Sequence, residues 1–168
     1  AARSILVAAT VQTVSGDLTL FANQQPVATS GNFAGITLSG TSLVQTTSGN
    51  IDLRGKGGDT GNGNYGIYVL GNSSMVQSTG AGAVGFVHLT GAGGAGVNSN
   101  DGVYLSAGII RSLDGAVDVT GTSSGTGTEN NGVHSDFGQI ISEDGGSATI
   151  TIDGTGGAPV EQGTIVIR

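Results

Sequence analysis

Three polar residues occupy the same place in three look-alike segments: Ile51-Asp52-Leu53, Val87-His88-Leu89 and Val117-Asp118-Val119. Two carboxylates flanking an imidazole on one face could work as an acid/base cluster. If the segments are neighbouring strands, Asp52 and Asp118 stand two rungs apart, about 9–10 Å at the usual strand spacing. That is the upper edge for an inverting carboxylate pair. The competing reading is an exposed polar column on a solvated face, and no residue is assigned a catalytic role. Tyr68 and Tyr104 repeat in the same fashion, in Ile67-Tyr68-Val69 and Val103-Tyr104-Leu105, with Thr37 and His134 at matching positions. Aromatic faces of this kind can stack on the apolar side of a sugar ring or stabilise a sheet as a cross-strand ladder. The candidate ligand-binding residues are therefore Tyr68, Tyr104, His134, Asp52, His88 and Asp118.

Other chemistry is excluded or weakly signalled. With no cysteine among 168 residues there is no disulfide scaffold and no thiol chemistry. Gly55–Asn64 (GKGGDTGNGN) is similar to Gly/Asp calcium repeats, but the nonapeptide spacing is absent and there is one copy, so a loop is expected and no metal. Gly91–Gly96 (GAGGAG) is low complexity, and no phosphate loop, dinucleotide fingerprint or nucleophile elbow occurs. No cofactor is expected. A net charge of −7 with five basic residues argues against nucleic acid. The longest purely apolar run, Ile5–Ala9, is too short for membrane insertion.

The elements that must position these residues are short strands. Gly, Ser, Thr and Asn make up 79 residues, yet 36% of the chain is hydrophobic and the apolar residues arrive in alternating bursts between Gly/Asn/Ser/Thr turns. A motif of Gly, apolar, any, apolar recurs at Gly35, Gly66 and Gly102, with weaker copies starting at Ser4, Gly132 and Gly163. The starts are separated by 31, 31, 36, 30 and 31 residues. A second burst (Val11-Gln12-Thr13, Val44-Gln45-Thr46, Val76-Gln77-Ser78, Ile110-Arg111-Ser112, Ile141-Ser142-Glu143) and a third (Leu18–Leu20, Ile51–Leu53, Val87–Leu89, Val117–Val119, Ile150–Ile152) follow in fixed order. Three strands per turn, at a fixed period and with no helix between them, predict a parallel β-solenoid. It has about five coils of 30–36 residues and forms a single domain over 1–168.

Alternation then sorts the faces. Ile36, Leu38, Ile67, Val69, Val103 and Leu105 point inward from the first strands, leaving Thr37, Tyr68, Tyr104 and His134 as one surface column. From the second strands Val44, Val76, Ile110 and Ile141 point inward. Gln12, Gln45, Gln77 and Arg111 line the outside, and Thr13, Thr46, Ser78 and Ser112 turn in at the corner. Glu143 shares that inward place, which predicts an outward bend, since a lone buried carboxylate is costly. The third strands carry the outer column Thr19, Asp52, His88, Asp118, Thr151. Ser15-Gly16, Ser48-Gly49-Asn50, Asp114-Gly115 and Asp144-Gly145-Gly146 mark turns between strands two and three. Variable links at Phe21–Ala34, Arg54–Tyr65, Thr90–Asp101 and Thr120–Asn131 gather on one edge. Neither end carries a polar cap, so the ends are expected to continue into a longer repeat protein or to stack on other copies.

The strings LVQTTSGNIDLRG, GIYVLGNSSMVQSTG and GVYLSAGIIRSLDGAVDVTG resemble repeats of secreted bacterial β-helix exoproteins of the filamentous-haemagglutinin and autotransporter-adhesin type. The resemblance covers nearly the whole chain as a style of repeat. It implies a right-handed parallel β-helix secreted to the cell surface or extracellular matrix, with no catalytic motif. The expected function is a non-enzymatic structural or adhesive segment of an extracellular fibre, adhesin or matrix protein: a stiff acidic rod presenting edge loops, with self or glycans as partners. The alternatives are a filament subunit that self-assembles through its ends and a polysaccharide-active enzyme using Asp52, His88 and Asp118.

Overall fold

The computed structural model describes residues 3–82, 85–143, 148–158 and 165–167. Among these the chain is all strand and turn, with no helix, and five strand triplets follow one another. The first coil holds β1 (Ile5–Val7), β2 (Thr10–Thr13) and β3 (Leu18–Ala22), and the second β4 (Ile36–Leu38), β5 (Leu43–Thr46) and β6 (Ile51–Lys56). The third holds β7 (Ile67–Leu70), β8 (Met75–Ser78) and β9 (Val87–Ala92), and the fourth β10 (Val103–Ser106), β11 (Ile109–Ser112) and β12 (Val117–Thr122). A fifth comprises β13 (Val133–Asp136), β14 (Gln139–Ser142) and β15 (Ile150–Thr155), and β16 (Ile165–Ile167) extends the first sheet.

Every first strand pairs only with first strands, and likewise for the second and third, giving parallel sheets of six, five and five strands. This is a β-solenoid. Parallel pairing between elements about thirty residues apart requires each coil to bury its apolar side against the next. The core is correspondingly one stack, with Ile36, Ile67 and Val103 of one column, Leu38, Val69 and Leu105 of another, and Leu53, Leu89 and Val119 of the third sheet nearly or fully buried.

Three of the four second-strand hydroxyls bond at the corner, whereas the Ser78 hydroxyl is buried without a hydrogen-bond partner. Thr13, Thr46 and Ser112 each accept the N–H three residues on, from Gly16 (3.2 Å), Gly49 (2.9 Å) and Gly115 (2.9 Å). Thr46 and Ser112 also donate to the carbonyls of Gly16 and Gly85 on preceding rungs, at 3.3 and 3.2 Å. A buried hydroxyl thus satisfies donor and acceptor at once and fixes the turn. On the outer side Gln77 Nε2 donates to Gln45 Oε1.

Three expectations need correction. Ile140, not Ile141, pairs with Ile110 and packs against the core, so Ile141 falls in the outer column opposite Arg111. The adjacent isoleucines at 140 and 141 satisfy either register from pattern alone, and a one-residue slip exchanges the faces. With Ser142 opposite Ser112, Glu143 lies outside and exposed, pairing with Arg111 at 3.4 Å, and no outward bend is needed. The third strands also run further than expected, to Lys56, Ala92, Thr122 and Thr155, so the edge loops begin later than Arg54, Thr90 and Thr120. Their fifth residue is glycine because the start of the next first strand lies against it: a Cβ at Gly55, Gly91 or Gly121 would stand 2.0, 2.1 or 1.9 Å from the carbonyl oxygen of Gly66, Gly102 or Gly132. The turn at Asp144-Gly145-Gly146 and the repeat start at Gly163-Thr164 lie outside the described residues.

Candidate functional site

Both outer columns align as expected, and they differ in what their members touch. On the third sheet Asp52 pairs with His88, His88 with Asp118, and Asp118 with Thr151 in strict register. The Asp52 and His88 side chains bond sideways along their own strands. Asp52 holds Arg54 at 2.8 Å, and His88 Nε2 meets Thr90 Oγ1 at 3.1 Å. These are i, i+2 pairs on one face of a strand, where alternation puts them. No hydrogen bond or ion pair joins Asp52, His88 and Asp118 to one another.

On the first sheet Thr37, Tyr68, Tyr104 and His134 also stand in register. Here the rings meet face to face. Tyr68 and Tyr104 stack with centroids 5.1 Å apart and planes at 5°, and Tyr104 and His134 stack at 4.5 Å and 17°. Parallel strands bring flat side chains at one register position to roughly stacking distance, so the column forms by repetition alone. The expected surface position of His134 is corrected: the residue is 8% exposed. Loop residues fold over that end of the column and cover it.

Those loops are organised by a buried asparagine ladder. Asn64, Asn100 and Asn130 are fully buried at equivalent positions, two residues before the glycine that opens each first strand. Asn100 Oδ1 accepts the backbone N–H and the side-chain amide of Asn64 at 3.1 and 2.9 Å. Asn130 Oδ1 accepts the same pair from Asn100, both at 3.0 Å. Asn64 Oδ1 in turn accepts Phe33 N–H at 2.9 Å. Each amide therefore serves one rung as acceptor and the next as donor, which a low-dielectric interior rewards. The loops are thereby held to the same rung spacing as the strands.

One position further on lies the site proper. Asp101 is 1% exposed. Its Oδ1 accepts Asn131 N–H at 2.7 Å and Asn131 Nδ2 at 3.0 Å, and its Oδ2 lies 3.1 Å from His134 Nδ1. A carboxylate can only accept here, so the imidazole carries its proton on Nδ1, and in the neutral ring Nε2 presents a lone pair. His134 Nε2 is buried and has no hydrogen-bond partner. Tyr65, the residue equivalent to Asp101 one coil earlier, tilts over Tyr68 and Tyr104 at 4.7 and 5.3 Å. Burial raises its phenol above the ordinary 10.0, with the charge of Asp101 adding to the shift. Burial likewise raises Tyr68, with Tyr104 adding and a hydrogen bond to Ser106 opposing.

Tyr65, Ser99, Asp101, Tyr104, Glu129 and His134 enclose a half-open cavity of about 100 Å³. Ser99 and Glu129 hold left-handed backbone, φ 53° and 56°, in a column that begins with Gly63 at φ 70°. Non-glycine residues in that region are strained. The exposed Ser99 hydroxyl donates to Glu129 Oε2 at 3.1 Å.

Of the residues singled out from sequence, the structure brings Tyr68, Tyr104 and His134 together and leaves Asp52, His88 and Asp118 aligned but not joined to one another. Tyr65, Ser99, Asp101 and Glu129 were missed because they fall in loops of unequal length. The signal that could have found them is the offset from the strand-opening glycine, visible in Asn64-Tyr65-Gly66, Asn100-Asp101-Gly102 and Asn130-Asn131-Gly132. In the Gly/Asp-rich loop, Asp59 is occupied internally: Oδ1 accepts from the Ser30 hydroxyl at 2.7 Å and Gly31 N–H at 2.8 Å. Among the described residues no group of three or more His, Cys, Asp or Glu is placed to hold a metal ion. No protein-family model matches the chain, and no curated protein or solved structure does either.

Proposed function

We propose that the chain is a non-enzymatic structural and adhesive segment of an extracellular or cell-surface bacterial fibre. It acts as a rigid rod whose outer face contacts glycans through the Tyr68–Tyr104 part of the first-sheet column. The observation that carries this reading is the unbroken in-register parallel pairing of the first sheet, which lines the rings up along the rod axis. Because the ring faces stack on one another, the strip offers ring edges and phenol hydroxyls at rung spacing, which suits a repeating polymer more than a deep pocket would. The mechanism is mechanical. Laddered rungs resist bending, every coil adds the same increment of length, and the loop edge varies without disturbing the core.

The test is retention of the purified chain on a panel of immobilised polysaccharides, alongside a Tyr68→Ala/Tyr104→Ala double variant whose fold is checked by circular dichroism. Retention by the parent chain and its loss in the folded double variant is the expected outcome. Equal retention of both, or retention of neither on any polymer, would overturn the reading. Electron microscopy with sedimentation across a concentration series separates single rods from the alternative of end-to-end filaments.

A further inference from the structure

The chain holds few side chains that give up an electron readily. It has no cysteine, no tryptophan and one methionine, and its three tyrosines are Tyr65, Tyr68 and Tyr104. The fold gathers all three into one contact cluster. Tyr65 tilts over Tyr68 and Tyr104 with centroids 4.7 and 5.3 Å away, and Tyr68 and Tyr104 stack at 5.1 Å with planes 5° apart. Each of the three is half-buried and keeps part of its ring in solvent.

A phenol that loses an electron also loses its proton. The unpaired electron of the resulting phenoxyl radical spreads to the ring carbons ortho to the oxygen, in orbitals perpendicular to the ring. Two such rings couple when those orbitals face each other in contact, and a pair already held in contact needs no diffusional encounter. The Tyr68–Tyr104 stack supplies that arrangement, because in-register parallel strands of the third and fourth coils hold ring face to ring face. The Tyr65 plane is turned by 43° and 48° from the other two, which points its orbitals away from theirs.

We propose that Tyr68 and Tyr104 form an oxidative cross-linking site, at which a haem peroxidase using hydrogen peroxide joins the two rings by a carbon–carbon bond. Each phenol gives one electron to the oxidant and one proton to water. The two ortho carbons then bond, and the hydrogen on each passes through solvent to its own phenol oxygen. The net loss is two hydrogen atoms, and the peroxide takes up two electrons and two protons to become two waters. The product is a covalent staple between neighbouring coils. It encloses one whole coil and restricts the unfolded chain as a disulfide would, in a chain that has no cysteine. The proposal rests on the ring stack and not on glycan contact.

The experiment oxidises the dilute, folded chain with a haem peroxidase and hydrogen peroxide, isolates the monomer and reduces any methionine sulfoxide. Met75, the one methionine, lies between the two tyrosines, so cyanogen bromide cuts the chain there into two pieces. The oxidised parent monomer should be lighter by two hydrogen atoms, show dityrosine fluorescence and keep its two pieces joined after cleavage. Tyr68→Phe and Tyr104→Phe keep the ring and lose the phenol; both should fold and release separate pieces, whereas Tyr65→Phe should still hold them together. Oxidation in urea should yield about tenfold less joined monomer or lower still, because the contact is lost. Separate pieces from the parent or from Tyr65→Phe, joined pieces from either of the other two variants, or an equal yield in urea would each overturn the proposal. Polysaccharide retention is read on the unoxidised chain, so the adhesive reading stands or falls separately.

Discussion

The two outer columns were built by the same device and ended as different objects. Each takes one side chain per coil from the middle of an apolar-X-apolar strand, and each keeps strict register through four or more rungs. On the third sheet the column stays a row of half-buried groups that do not join, with Asp52 and His88 tied to Arg54 and Thr90 on their own strands. On the first sheet it becomes a continuous ring stack that ends in a buried Asp101–His134 pair. Two things differ. Flat rings gain dispersion and quadrupole attraction at rung spacing, whereas like-charged carboxylates gain no such contact from alignment. Loop residues also reach the first-sheet column, where Asp101 meets His134 and Tyr65 tilts over Tyr68 and Tyr104. Register makes neighbours, and side-chain shape and cover decide whether neighbours make a site.

The contrast can be broken most sharply at the carboxylates. Asp101→Ala orphans Asn131 N–H, its amide and His134 Nδ1 in the interior and should cost about 3 kcal/mol of stability, whereas Asp118→Ala should stay within roughly 0.5 kcal/mol. Urea denaturation of the two variants reads the difference, and equal effects would dissolve the distinction between the columns. Asn100→Ala, which removes the middle of the ladder, should cost about 2–3 kcal/mol and loosen the loop edge. Hydrogen exchange should then show lost protection at Asn64 and its neighbours while the core strands β6 and β9 keep theirs.

Alkaline pH provides a third lever. The Tyr65 phenol is raised in the folded state above its ordinary 10.0, first by burial. Its stability contribution is therefore whole below pH about 10 and is lost as pH rises past that value toward the folded pKa. The parent chain should lose stability on the alkaline side more steeply than Tyr65→Phe, and parallel slopes for the two proteins would sink the assignment. The smallest effect belongs to the open column: Arg54→Ala removes an exposed ion pair with Asp52 and should change stability by a few tenths of a kcal/mol at most, about the usual worth of such pairs. A thermal melt that fell by many degrees would mean that the third-sheet face is structurally coupled after all.

The alignment of the columns, most of the core and three of the four corner hydroxyls were legible because strand alternation and a near-constant period leave little freedom once three copies agree. The register of β14 was not, since Ile140 and Ile141 satisfy the pattern equally and only the opposing Ile110 and Ser112 select between them. The pocket was half legible. Tyr68, Tyr104 and His134 announced themselves by repetition, while Asp101 and Tyr65 sit where loop lengths vary and counting from the preceding strand loses the frame.

What composition and periodicity determined by themselves is the solenoid: which residues face in, which rows line up, and where the turns fall. These follow from local alternation and from the need of each coil to cover its neighbour's apolar side. What only the tertiary structure decided is which aligned residues touch. That depended on loops of different length being brought to one rung spacing by Asn64, Asn100 and Asn130, because burial and partnership are set by groups thirty or more residues away along the chain.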